Sequence, residues 1–275
     1  MIKSLNSLRG IFCLFIFFHH CRSLYPGGGA MAVTFFFVLG GFALTLGYKD
    51  KVTMPDFNYK QYLTRRCIKF FPLHWLTLFA ALPFAFLSFS KWTLPTLAVN
   101  VALLQTWIPI KEVYFSFNPV SWYLANTMFF AIVFPFIFKG ISKSSSIERT
   151  VVVAALAIVY VIVGLMLPEE KYHAILYISP YMRLMDFILG IFLALSYLKL
   201  QEKPMANWDN TLSQIGIGAL IVFLVVESFL LSENAALFAP VYWIPVTALI
   251  LLTCLTESNG GGNFSKTNGY SILAT

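Results

Sequence analysis

Long apolar runs separated by short polar stretches make up most of the chain. A helix that crosses a bilayer needs about 20 largely apolar residues. Windows of that size predict about nine spans: 5–22, 31–47, 72–90, 94–110, 120–138, 151–167, 180–198, 212–231 and 239–256. The breaks between them carry turn formers and polar runs, namely Pro26-Gly27-Gly28-Gly29, Pro55, Ser142 to Ser146, and Pro204. The pattern contains no internal repeat and no separate soluble domain. It predicts an all-α, polytopic integral membrane protein.

Composition agrees with this reading. Of 275 residues, 59% are hydrophobic and 11% charged, whereas an average soluble domain is about a quarter charged. So little polar surface cannot coat a water-soluble globule. The 28 Phe and 6 Trp exclude a disordered chain, since burying them offsets the entropy of ordering. In a soluble protein a net charge of +7 would suggest nucleic acid. Here the cations lie in short stretches between apolar runs, where cytoplasmic loops and anionic headgroups account for them. Membrane lipids, not nucleic acid, are the expected surroundings. The four cysteines include no CxxC pair, so neither a metal site nor a disulfide framework is indicated.

Lys49, Lys51, Lys60, Arg65, Arg66 and Lys69 separate the second and third predicted spans. By the positive-inside rule that loop is cytoplasmic, and so is the N-terminus two crossings earlier. The next basic stretches are Lys139, Lys143 and Arg149, then Lys199 and Lys203. They fall outside if every segment crosses once, and inside if one segment within 72–118 re-enters without crossing. Lys3, the run Ile11 to Phe18 and Ala30-Met31-Ala32 share the outline of a signal peptide. Against that reading, Arg9 and His19-His20 bracket the run, and the supposed cleavage site opens another span.

Charges inside apolar runs are costly and therefore candidate functional groups. Eleven residues separate Arg9 from His20, which on a helix puts them about 20° apart around the axis and about 16 Å apart along it. His19 points about 80° away from Arg9. Arginine holds anions in a planar fork, and histidine accepts a proton near neutral pH. Arg65, Arg66 and Lys69 serve equally well as a positive-inside anchor or as a cradle for a phosphorylated ligand. His74 and Trp75 beside them read as interfacial residues. Arg183 and Asp186, three apart, can pair and lower each other's cost in the membrane. Ser121 and Trp122 open another span at an interface, and Gly40-Gly41 allows close helix approach.

Together these residues resemble the integral-membrane acyltransferases of the acyltransferase-3 type, bacterial O-acetyltransferases of cell-surface glycans. Arg9 through His20 is similar to the family's Arg, ten residues, His pattern. Phe35 through Phe42 resembles its second-helix signature, with Gly40 where serine is common. Arg65-Arg66 through Pro72 resembles its basic loop, with Lys69 in place of the usual arginine. Ser121 to Leu124 and Arg183 to Gly190 resemble its later signatures.

The resemblance implies an acetyl group carried from cytoplasmic acetyl-CoA, a co-substrate and not a tightly bound cofactor, to a hydroxyl of a carbohydrate or lipid-linked glycan. It implies His20 and Arg9 as catalytic residues, with Arg65, Arg66 and Lys69 holding the donor. Ser121, Trp122, Arg183 and Asp186 would support them, in a multi-pass protein of the bacterial cytoplasmic membrane. Family members typically have ten spans. Here 1–256 forms the transmembrane domain, and 257–275 is a polar, glycine-rich tail where a last span is expected. A truncated, inactive acyltransferase is one alternative. A glycan-precursor transporter is the competing class, and it predicts repeated halves that this chain lacks.

Overall fold

The computed structural model describes residues 2–21, 29–86, 91, 93–202, 210–231, 234 and 238–260. Their secondary structure is helical: α1 Lys3–His20, α2 Gly29–Thr53, α3 Tyr59–Phe86, α4 Thr93–Val101, α5 Lys111–Tyr114, α6 Ser121–Ile141, α7 Ser146–Met166, α8 Pro180–Gln201, α9 Asn210–Leu230 and α10 Pro240–Gly260. Seven of these, α2, α3 and α6 to α10, are apolar and long enough to cross a bilayer. The 18-residue α1 is about 27 Å long.

At the centre α2 crosses α8. It is buried nearly all round, with Met31, Phe35, Val38 and Phe42 facing α1 and α10, and Val33 and Phe37 facing α6 and α8. The crossing is held at two glycines. A Cβ on Gly41 would stand 2.1 Å from the Phe187 carbonyl oxygen, and one on Gly190 would stand 1.9 Å from the Val38 carbonyl oxygen. The predicted close approach at Gly40-Gly41 thus falls on Gly41, while Gly40 has space in front of it. The outer helices α3, α7 and α9 turn large apolar side chains outward. Phe84, Leu165 and Leu230 are 74%, 80% and 79% exposed. Water would not tolerate such a surface, and hydrocarbon does. The protein is a multi-pass membrane protein.

Three expectations need correction. The basic stretch Tyr62 to Pro72 is helix, not loop, because α3 begins thirteen residues before Pro72. The Asn58 side chain caps it by accepting from the Gln61 N–H at 2.9 Å, and Arg, Lys and Gln are good helix formers. The predicted span 94–110 is also broken. Helix α4 stops after nine residues, about 14 Å, and the backbone turns through Leu103 at φ 56°. Averaged hydropathy hides the cause, which is polar Asn100 and Gln105 inside the run. The Asn100 carbonyl takes a bond from His74 at 2.7 Å, and its amide reaches the Ser116 hydroxyl at 2.7 Å. His74 is accordingly buried and fixes α4 to α3, rather than sitting at an interface.

Because α4 is too short to cross, the parity conflict in the sequence disappears. The stretches around Lys143 and after Lys199 lie on the same side as Lys51 and Lys60. Glu257, in the last turns of α10, accepts from the Lys3 and Ser4 N–H groups at 2.8 Å, and also binds the Ser4 hydroxyl. Both ends of the described bundle therefore meet on one face. Helix α10 continues to Gly260, past the expected boundary at 256, while residues 261–275 lie outside the described residues.

The glycine crossing sets a test of the fold. Gly190→Leu would drive a side chain into backbone, a form of overpacking that costs about 1–3 kcal/mol or more. It should lower the thermal midpoint in detergent or abolish the monodisperse peak in size-exclusion chromatography. Gly218→Ala, which meets nothing within 4 Å, should leave both unchanged.

Candidate functional site

One elongated cavity of about 230 Å3 opens between α1, α2, α3, α6 and α8. Arg9, Arg66 and Lys69 line it, so three of the cations singled out in the sequence converge although they come from two helices. On α2 its wall includes Phe36, Gly40, Ala43 and Gly47, recurring every three or four residues along one helix face, with Phe37, Leu44 and Tyr48 beside them. The small residues of this face leave the space. Tyr48 and Phe36, twelve residues apart, set a length of about 18 Å. The far end is walled by Tyr123, Phe130 and Phe187.

At the charged end Arg66 lies over two aromatic rings, 4.7 Å from the Tyr48 centroid and 5.3 Å from that of Tyr62. Its Nε is buried without a hydrogen-bond partner. Tyr62 is held in turn by its hydroxyl, which donates to the Ala131 carbonyl at 2.8 Å. Arg9 donates to the Asn6 side chain at 3.0 Å, which leaves further N–H groups of its fork for a ligand. Arg65 is exposed and does not line the cavity. Tyr48, Tyr62 and the Gly40, Ala43, Gly47 stripe were not identified as site residues from sequence, although the small-residue spacing was there to be read.

His20 is the last residue of α1, exposed and next to His19, whose ring centroid is 5.6 Å away. It is not among the residues that line the cavity. His19 packs against α2, with its ring where a Cβ of Gly29 would be. Segment 22–28, which follows the two histidines, lies outside the described residues.

Beyond the cavity sits a buried charge centre. Arg183 Nη2 is 3.1 Å from Asp186 Oδ2 and donates to Thr34 Oγ1 at 3.0 Å. Asp186 Oδ1 accepts from the Trp243 indole N–H at 2.6 Å. Both charged side chains are essentially inaccessible, at 1% and 0% exposed. The expected pair therefore exists, and it ties α8 to α2 and α10. The Arg183 guanidinium also faces the Phe37 ring at 5.2 Å and that of Tyr177 at 5.6 Å. Phe37 stacks on Tyr123 at 4.8 Å, and this double ring layer separates the cation cavity from Arg183. Trp122 packs beside it, 6.3 Å from Phe37. Ser121 accepts from the Gln105 amide at 3.1 Å and donates to the Asn118 carbonyl at 2.7 Å, anchoring the irregular backbone before α6.

Residues 2–273 match the acyltransferase domain of the acyltransferase-3 family. The chain belongs to that family. It is 27% identical over 186 residues to an acyltransferase, MdmB, of Streptomyces mycarofaciens, a match covering 61% of this chain and 46% of the relative. The match thus spans about half the length of that curated relative. No solved structure matches. With the family in place, the cation cavity is the candidate donor site, and the Arg183–Asp186 centre is the buried frame behind it.

Breaking a buried ion pair by removing one partner costs about 3–5 kcal/mol, while an apolar pair of similar volume is often tolerated. Asp186→Leu and Arg183→Met should each lower the melting temperature in detergent. The double variant should recover a large part of the loss. Additive losses would show that the two residues do not act as a pair.

Proposed function

We propose that the protein is a membrane O-acyltransferase that moves an acetyl or other acyl group from cytoplasmic acyl-CoA to a hydroxyl of a cell-surface carbohydrate. The observation that carries this reading is that Arg9, Arg66 and Lys69, from two helices, line one aromatic-walled cavity. With Arg66 over Tyr48 at one end and Tyr123 at the other, such a cavity suits a ligand with phosphates and a thin arm. The cations bind phosphate by charge-assisted hydrogen bonds, and the face of α2 bearing Gly40, Ala43 and Gly47 leaves a passage for the pantetheine arm.

The helix α1 runs without a break from Arg9 to His20, so His20 stands about 16 Å beyond Arg9, near the reach of an extended arm. His20 then acts as general base. It takes the proton of the acceptor hydroxyl as the oxygen attacks the thioester carbonyl, and the C–S bond breaks to release CoA as thiolate, which is reprotonated. A base in this role contributes about 10²–10⁴-fold. The positive-inside rule places the cation end in the cytoplasm, with the N-terminus, in a bacterial inner membrane.

Transfer from labelled acetyl-CoA by the purified protein in nanodiscs tests the reading. Arg66→Ala and Arg9→Ala each remove charge-assisted bonds of about 1.5–3 kcal/mol, so each should raise the KM for acetyl-CoA roughly 10- to 150-fold. Arg65→Ala should stay within about twofold. His20→Ala should lower kcat by about 10²–10⁴-fold with little change in KM. An Arg65→Ala effect as large as that of Arg66→Ala would sink the assignment of the cavity. Absence of any acetyl-CoA binding would bring the carrier reading forward.

A further inference from the structure

At the end of the bundle away from the cations lies a second cluster of chemistry-bearing groups. Between α7 and α8 the chain forms a π-helical turn, His173–Ile178. Such turns widen the helix to i→i+5 bonding, which brings His173 and Tyr177 to one face with ring centroids 5.3 Å apart. Trp122 closes on Tyr177 at 5.0 Å, and Phe115 closes on His173 at 5.5 Å. The Tyr114 hydroxyl is 3.1 Å from His173 Nδ1.

We propose that this cluster is a carbohydrate subsite that holds the acceptor's sugar ring for acyl transfer, on the side of the Phe37–Tyr123 layer opposite the cation cavity. The proposal rests on the acyltransferase reading above and adds the place and chemistry of the acceptor.

Three observations support it. The first is surface chemistry. Half-buried Phe115 and Tyr177 supply ring surface against which the C–H side of a sugar ring packs, with polar tips beside them for its hydroxyls, and Trp122, only 7% exposed, backs them. Among the described residues the Trp122 indole N–H, the Tyr177 hydroxyl and His173 Nε2 make no hydrogen bond, and none belongs to the sealed, unpartnered polar atoms of the interior. Unpartnered polar tips at the edge of an aromatic cluster fit a polyhydroxy ligand. An apolar partner would strand them.

The second is protonation. Burial, with Lys111 nearby, lowers the His173 pKa to about 4, so its imidazole is neutral at pH 7. The Tyr114 hydroxyl engages Nδ1, so Nε2 is the ring nitrogen left to a sugar hydroxyl, as donor or acceptor according to the tautomer. The third is position. Trp122 is 6.3 Å from Tyr123, which lines the cation cavity, so a sugar on this wall sits one ring layer from the donor cavity. Arg183 fixes that wall from behind, 5.6 Å from the Tyr177 centroid.

The test uses the full chain in nanodiscs with acetyl-CoA as donor. Methyl β-D-glucopyranoside, methyl β-D-galactopyranoside and N-acetylglucosamine serve as acceptor probes, with 1-butanol as a non-sugar alcohol. Transfer to at least one sugar is expected in preference to butanol. For that sugar, His173→Ala and Tyr177→Leu should raise the acceptor KM tenfold or more, while the acetyl-CoA KM stays within twofold. Tyr177→Phe, which keeps the ring, should recover most of the Tyr177→Leu loss, and Tyr181→Ala, on the exposed start of α8, should behave as the parent. Equal acetylation of butanol, or acetyl-CoA binding with no transfer to any sugar, overturns the carbohydrate assignment and leaves the donor site standing. Acceptor and donor KM values that rise together in His173→Ala overturn the subsite as placed. Loss of acetyl-CoA binding by the parent protein would instead be a failure of the acyltransferase reading itself.

Discussion

The contact of α2 with α8 at Gly41 and Gly190 is the constraint on which the rest of the bundle depends. Each glycine lies against the backbone of the other helix, at distances no Cβ could occupy, so the two axes approach as closely as helices can. That proximity puts Arg183 within reach of Thr34 and over the ring of Phe37. It also lays Phe187 against Phe130, at 5.1 Å, as one wall of the cation cavity. Move the helices apart by the width of a methyl group, and the charge pair loses its hydrogen-bond partner on α2 while the cavity loses its wall.

Burying Arg183 and Asp186 is costly, and the structure meets that cost with partners from two other helices, Thr34 on α2 and Trp243 on α10. The pair thereby acts as a three-helix clamp. Its placement also divides the interior of the bundle. The cavity on one side is open to charged ligands, and the aromatic cluster on the other holds neutral polar groups. Between them stands the Phe37–Tyr123 stack, backed by the guanidinium. An apolar layer of this kind limits passage of ions and bulk water between the two sides.

Much of this was legible in the sequence. Eight of the nine predicted spans correspond to long helices, because uninterrupted apolar length is a sufficient signal for a membrane helix. Arg9, Arg66 and Lys69 stood out because charge in or beside an apolar run is expensive, and Arg183 with Asp186 because their spacing permits pairing. What could not be read was the company each charge keeps. Nothing in the local sequence tells Arg65 from Arg66, yet helix phase points Arg66 at Tyr48 and into the cavity and leaves Arg65 outside. Nothing in the sequence marks His173, which lies between spans in a stretch with acidic neighbours. Its setting is made by Tyr114 and Tyr177, residues from different segments.

The segment that hydropathy misjudged, 94–110, connects these features. Apolar enough to be counted as a span, it is broken by polar groups that find partners only in the folded state: Asn100 with His74 and Ser116, and Gln105 with Ser121. Irregular backbone at membrane depth is tolerated only where protein satisfies its polar groups, and here α3 and α6 do so. The break has two consequences. By removing one crossing it brings the basic stretches at Lys51, Lys143 and Lys199 to the same face as the cation cavity, which restores the charge asymmetry of an inserted membrane protein. By returning the chain before α6 it sets Tyr114 and Phe115 beside the π-helical turn before α8, so that one departure from a simple bundle orders the charges at one end and assembles the aromatic cluster at the other.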